Sequence, residues 1–272
     1  MGYEAVKNVL EKSNTDVNDI DMIVFVSDTP EYNSPTNALK INHMIKANNA
    51  HRVFDMNCNC TGMLVALDNI STYAKHYEDV NKILIVGCIH ISSVVDYKDT
   101  VAYPNFGDAA AAIILDIVEE ETERGILSST YFTDAQYQEY ITLPACGHSR
   151  ELIEKLPKNE RRLSWKPFDT DFVSDYWVKI IDELMKRHKI QIDDIQHFCF
   201  SQFSHTLNMK TLEELKADTD RYVFIGDKYG YTGCSSPILA LNEIWDTKSE
   251  DGYILFCSVA AGCSVNTVLY KI

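Results

Sequence analysis

No run of apolar residues in this chain approaches the roughly 18 that a membrane-crossing helix needs, so no span is expected. The opening MGYEAVKNVLEK lacks a basic stretch ahead of an apolar one, which argues against a secretory signal. Val6 stands where a myristoylation signal has Ser or Thr. There are no paired CxxC motifs and no HxxxH, so no metal site is expected. Positive charge is scarce: 25 Lys and Arg face 40 Asp and Glu, a formal net charge of −15. Nucleic acid and anionic membranes repel such a chain, and neither is expected as a partner. These absences leave a cytoplasmic globular protein.

What is present fits that reading. The 272 residues are enough for one large domain or two fused halves with a sizeable core. Eight cysteines in a chain of this size, with no secretory signal, are expected as reduced thiols. Several lie inside apolar runs, such as Cys199 in HFCF and Cys257 in YILFCSV, where a thiol packs as a small hydrophobe.

Hydrophobic period divides the chain into alternating strands and helices. A helix over 2–13 is followed by a strand at 22–27, a helix near 36–47, a strand at 52–57 and a helix over 60–77. The apolar runs 82–89 and 109–118 read as strands covered on both faces. A second series begins with a helix over 171–188. A strand at 197–202, a helix at 206–216, a strand at 221–226 and a helix at 235–246 follow. Strands at 253–262 and 264–272 close the chain. The stretch 119–170 between the series is more polar and less regular. The pattern predicts an α/β protein of two similar halves, 1–118 and 171–272, joined by a variable connecting segment, 119–170.

One stretch stands out chemically. In FDMNCNCTGMLVAL a strand runs into Cys60-Thr61-Gly62, which opens a helix. Unpaired N–H groups and the helix dipole at that position favour a thiolate, and Gly62 leaves room for a substrate. This is nucleophile-elbow logic written with sulfur. The local context alone leaves a second reading open, an inert buried cysteine at a strand end.

The elbow resembles the active-site segment of the β-ketoacyl-acyl carrier protein synthase III family, of thiolase fold. Other stretches resemble it in order: DIDMIVFVSDTPEYNSPT (19–36), KILIVGCIHISS (82–93), NFGDAAAAIIL (105–115), DKYGYTGCSSPILAL (227–241) and AAGCSVNTVLY (260–270). The resemblance covers essentially the whole chain and is weakest in 119–170. It implies two similar βαβ halves in a layered αβαβα arrangement, with the N-terminal portion shortened. Met1 matches a point inside the family pattern, at its second helix, so that a strand expected at the centre of the first sheet would be lacking.

The resemblance also implies an acyltransferase. Cys60 would take an acyl group from acyl-CoA or acyl carrier protein, with no permanently bound cofactor, and transfer or condense it in fatty acid or polyketide-like biosynthesis. The oxyanion hole would be the backbone N–H groups of Cys60 and Ala261. Where the family has His in a His-Gln-Ala-Asn motif this chain has Ser201, and where it has Asn in Gly-Asn-Thr it has Tyr231. Each retains one hydrogen-bond donor, but neither supplies a cation. His205, four residues beyond Ser201, is a possible auxiliary group, or else a surface or cap histidine. The alternative function is a non-catalytic or half-catalytic subunit of a heteromeric synthase. Expected partners are a second copy of the chain or a related synthase subunit, with the loop Tyr32–Pro35 in the contact, and an acyl carrier protein.

Overall fold

The structure is a computed structural model that describes all 272 residues. Its frame is a pair of four-stranded sheets. In the first, β1 (Met22–Val26) lies between β2 (Arg52–Met56) and β3 (Lys82–Ile89), parallel to both. The next strand, β4 (Ala109–Asp116), closes the sheet antiparallel to β3. Every residue of β1 is buried, as a parallel strand covered on both faces requires.

The second sheet repeats that plan. After β5 (Gly125–Thr133) and a two-strand ribbon of β6 (Ile141–Thr142) and β7 (Ser164–Trp165), it takes in β8 (Ile195–Phe200), β9 (Tyr253–Ala260) and β10 (Ser264–Lys271). The strand β8 is parallel to β9, and β10 is antiparallel to it, just as β1 and β3 are flanked by β4. β5 adds outside β10.

Helices fill three layers around the sheets. The first sheet carries α1 (Gly2–Ser13) and α2 (Asn37–Ile45) on its outer face, over a core of Val6, Ile23, Phe25, Ile41, Leu84 and Val86. Asp55 of β2 accepts from the amides of Asn37 (2.8 Å) and Ala38 (2.7 Å), so a carboxylate caps the positive end of α2. Helices Phe172–His188 and His205–Glu214 cover the outer face of the second sheet. Between the sheets lie α3 (Gly62–Ala74) and the helix Ser236–Ile244, in the largest core cluster, with Met63, Leu67, Ile85, Ile238, Leu241 and Phe256. No helix is long and apolar enough to cross a membrane.

Three sequence expectations change. No slot is open at the centre of the first sheet: β1 and β3 bond directly, and its unpaired edges are β2 and β4. The strand expected at 221–226 shrinks to a single bridge, Phe198 to Tyr222. The Gln202 side chain accepts from the amides of Ile225 (3.0 Å) and Gly226 (3.1 Å), satisfying backbone donors that a strand partner would otherwise take. Within 119–170, β5 joins the edge of the second sheet, its serines and threonines disguising a strand, and Ile141, Leu143, Leu163, Trp165 and Phe168 line a cavity described below.

A seam joins the halves. Gly107 N–H donates to Tyr231 O at 2.9 Å, and Tyr231 N–H donates to Asn105 O at 2.8 Å. A Cβ on Gly107 would lie 1.9 Å from Tyr229 O, so only glycine permits this approach. Gly107→Ala is expected to cost about 1–3 kcal/mol, the usual penalty for overpacking, as a lower urea midpoint at unchanged m-value.

Candidate active site

The inner helices both start from tight turns, and these turns meet. One is Asn59–Thr61, ahead of α3; the other is Gly233–Ser235, ahead of Ser236–Ile244. Cys60 sits in the first. Asn59 is left-handed (φ 50°), a conformation that asparagine tolerates better than most residues, and it sharpens the bend out of β2. Asn57 Oδ1 accepts from Asn59 N–H at 2.9 Å, and Thr61 Oγ1 donates to Cys58 O at 2.8 Å. Ser258 Oγ donates to Cys60 O at 3.1 Å, which ties the elbow to β9.

Gly62 has a packing role. A Cβ there would come within 2.4 Å of Val26 Cγ1, so glycine lets α3 sit directly on β1. This corrects the expectation that Gly62 clears a path for substrate.

Cys60 opens onto a cavity of about 120 Å³. Its walls come from both halves and are mostly apolar, including Ile91, Phe106, Leu143, Leu163, Trp165 and Phe203. Aromatic rings surround Tyr231: Phe106 lies 5.1 Å away and Phe203 5.7 Å, and Trp165 stacks on Phe203 at 5.8 Å. Trp165 and Leu163 come from the segment that the sequence left irregular. No Lys, Arg or His lines the cavity.

The thiol is not held as a thiolate. Burial, and then the nearby Asp28 carboxylate, push it up to about 12. The Tyr231 hydroxyl and the N–H groups of Cys60 and Ala261 pull the other way, without prevailing. The expected helix-terminus stabilisation is therefore overridden: Cys60 lies in the turn before α3, and protein surrounds it on every side but the cavity. Ala261 starts the β9–β10 turn, where Gly262 (φ 79°) and Cys263 (φ 56°) are both left-handed. That turn aims the Ala261 amide at the sulfur.

Tyr231 is buried on the cavity wall, and Ser201 lies behind it. The two hydroxyls face each other closely enough for Ser201 to ease Tyr231's titration, but neither forms a hydrogen bond of ordinary geometry. Burial first, then the negative charge of Cys60, raise the Tyr231 phenol well above its usual value. Its hydroxyl therefore keeps its proton at neutral pH. His205 does not join them. It is exposed at the start of its helix, against the rings of Phe224 (4.6 Å) and Tyr222 (5.9 Å), because the backbone turns away at Ser204. None of Tyr32, Asn33, Ser34 or Pro35 lines the cavity.

Asp28 is the residue that sequence reasoning passed over, as part of a polar loop. It lies two residues beyond β1 and lines the same cavity. The residue is partly exposed, yet its Oδ1 is sheltered and has no hydrogen-bond partner. Burial raises its pKa to about 6. A signal was available: a charged residue just past the carboxyl end of a fully apolar parallel strand occupies the place where open α/β sheets bind ligands.

Two α/β halves stacked through shared inner helices, with their turns converging on one cavity, constitute the thiolase-like fold. Solved structures share it. The 3-oxoacyl-acyl-carrier-protein synthase III of Aquifex aeolicus VF5 superposes with a TM-score of 0.88 at 20% identity, over 100% of this chain and 83% of that one. The priming β-ketosynthase of the R1128 polyketide pathway superposes with a TM-score of 0.85 at 21% identity, over 100% and 80%. The β-ketoacyl-acyl-carrier-protein synthase III of Sulfurovum sp. (strain NBC37-1) is 28% identical over 250 residues, 91% of this chain and 73% of that protein.

Family models agree with these likenesses. Residues 54–135 match 3-oxoacyl-acyl-carrier-protein (ACP) synthase III, and residues 185–272 match the C-terminal part of the same family. The chain belongs to the 3-oxoacyl-acyl-carrier-protein synthase III family, as a divergent member and a synthase III-like acyltransferase. The family is one of condensing enzymes in fatty acid and polyketide biosynthesis.

Asp28 makes stability depend on pH. Its pKa is about 6 in the folded chain and 3.8 in the reference state, so the folded state holds the proton more tightly. That contribution is complete below about pH 4 and lost as pH rises through 6. Asp28→Asn removes the loss. Its stability advantage over the parent is expected to grow by up to about 3 kcal/mol between pH 3 and pH 8, read from urea midpoints.

Proposed function

We propose that Cys60 accepts an acyl group from a coenzyme A or carrier-protein thioester and holds it as a thioester. The observation that carries this reading is the convergence of the Cys60 and Ala261 N–H groups on Cys60 Sγ, at the base of an apolar cavity. Two backbone amides placed there would receive the oxygen of a tetrahedral acyl intermediate. Tyr231, with a buried and unpaired hydroxyl, would be a further donor toward the acyl oxygen, with the Ser201 hydroxyl facing it from behind. A dry apolar cavity of about 150 Å³ takes a benzene-sized guest. The smaller cavity here, about 120 Å³, suits an acyl group of a few carbons.

A partner-subunit role is the second reading. Its support is the loss of the family's His and Asn, with no His, Lys or Arg on the cavity wall to replace them. Dimerisation with a second copy or a related synthase subunit fits either reading, and the exposed Tyr32 would be free to take part in such a contact.

Incubation with acetyl-, butyryl-, octanoyl- and malonyl-CoA, followed by peptide mass spectrometry, separates the readings. Acetyl and butyryl groups are expected on Cys60, octanoyl at least ~10-fold more slowly, and none on Cys60→Ala. No adduct from any donor on a Cys60 that iodoacetamide still alkylates would leave the partner-subunit reading standing. Trp165→Ala enlarges the cavity and is expected to narrow the gap between butyryl and octanoyl transfer, measured as the ratio of labelling rates.

A further inference from the structure

An acyl group on Cys60 has to leave again, and the family's cationic donor is absent. Of the ionisable groups lining the cavity, Asp28 is the one that can accept a proton near neutral pH. The titratable groups facing Asp28 are Cys60 from the elbow, Tyr231 from the loop paired with Phe106, and Cys234 from the turn before Ser236–Ile244. All are acids. No Lys, Arg or His forms an ion pair with it, and its sheltered Oδ1 has no donor. Only its own backbone N–H eases the charge, and a carboxylate so sheltered costs stability.

Resting on the acyl-enzyme reading, we propose that Asp28 is the general base of the second half-reaction, taking the proton of a hydroxyl or amine acceptor as it attacks the acyl group on Cys60. The acceptor O–H or N–H bond breaks, and its oxygen or nitrogen bonds to the acyl carbon. The C–S bond then breaks, and its electron pair goes to Sγ. The proton passes from Asp28 to Sγ, restoring the carboxylate and the thiol. Nothing is oxidised or reduced. The products are an ester or amide, or a free acid when water is the acceptor.

Charge favours this acceptor class over a carbon one. A malonyl thioester would bring its own carboxylate into a cavity that already holds Asp28 and offers no cation. A carbon acceptor made by decarboxylation also gives up no proton for a base to take. Once Cys60 is acylated it carries no charge, and a carboxyl titrating at about 6 is ionised at pH 7. Its conjugate acid then meets a leaving sulfur whose own pKa is about 12, so protonation assists the departure.

The test isolates acetyl-Cys60 enzyme, removes the donor, and follows loss of the adduct by intact mass. The acceptors are water alone, 1-propanol, glycinamide and malonyl-CoA. Transfer to propanol is expected to rise with pH through about 6 and then level off, while transfer to glycinamide carries in addition the titration of its own amine at about 8. Asp28→Asn should slow that transfer at least ~100-fold and abolish the pH step, and Asp28→Glu should restore part of both. As a control for folding, Asp28→Asn is expected to be alkylated faster at Cys60 at pH 8, since a like charge has gone. Transfer by Asp28→Asn at the parent's rate and pH profile would overturn the proposal alone. So would turnover of the parent acyl-enzyme only with malonyl-CoA and release of carbon dioxide. Absence of any acyl adduct on the parent would instead remove the acyl-enzyme reading beneath it.

Discussion

The contact of α3 with β1 sets the geometry from which the site follows. Gly62 lies so close to Val26 that no side chain fits between them. That closeness leaves the chain about one turn in which to pass from β2 into the buried helix, and Cys60 occupies that turn. The second half repeats the device with Gly233, left-handed at φ 51° and close to Ile89, ahead of its own inner helix. Because both inner helices lie between the sheets, their starting turns meet. The cavity is the space left where they do.

The chemistry is governed by a competition among acids in that space. Asp28 raises the cost of ionising Cys60 and Tyr231, Cys60 raises it for Tyr231, and no cation lines the cavity to relieve them. Asp28 is the strongest acid of the three and takes the charge, so the thiol stays protonated at rest. A site arranged in this way already holds one negative charge, on Asp28. It is poorly suited to collecting negative charge, which sets it apart from what the family's His and Asn would provide.

The sequence made much of this legible. Fully apolar strands such as MIVFV and KILIVGCI are covered on both faces, and their period announced them. Cys60 was readable because its strand–Cys–Thr–Gly–helix setting is local. Ser201 and Tyr231 were readable as departures from a motif. His205 was left open between an auxiliary group and a surface histidine: four residues from Ser201 in the chain, it points to the outside because the helix starts between them. β5 went unseen because Ser and Thr in GILSSTYFT mimic a loop, while Thr130 and Thr267 hydrogen-bond to each other across β5 and β10 at 2.6 Å. The aromatic wall of Trp165 and Phe168 was hidden in a segment with little regular hydrophobic period, where Trp165 stacks on Phe203 of the other half.

Local pattern was therefore enough for the alternation of strands and helices, the elbow and the family, since each depends on residues near one another in the chain. The protonation state of Cys60 needed the fold. From sequence, a cysteine ahead of a helix looks like a stabilised thiolate. In the folded chain a carboxylate 32 positions earlier shares its cavity, together with a tyrosine from the other half. Electrostatic energy depends on distance through space and on the exclusion of water. Both are products of tertiary packing, which brought Asp28 beside Cys60 and left it without a partner.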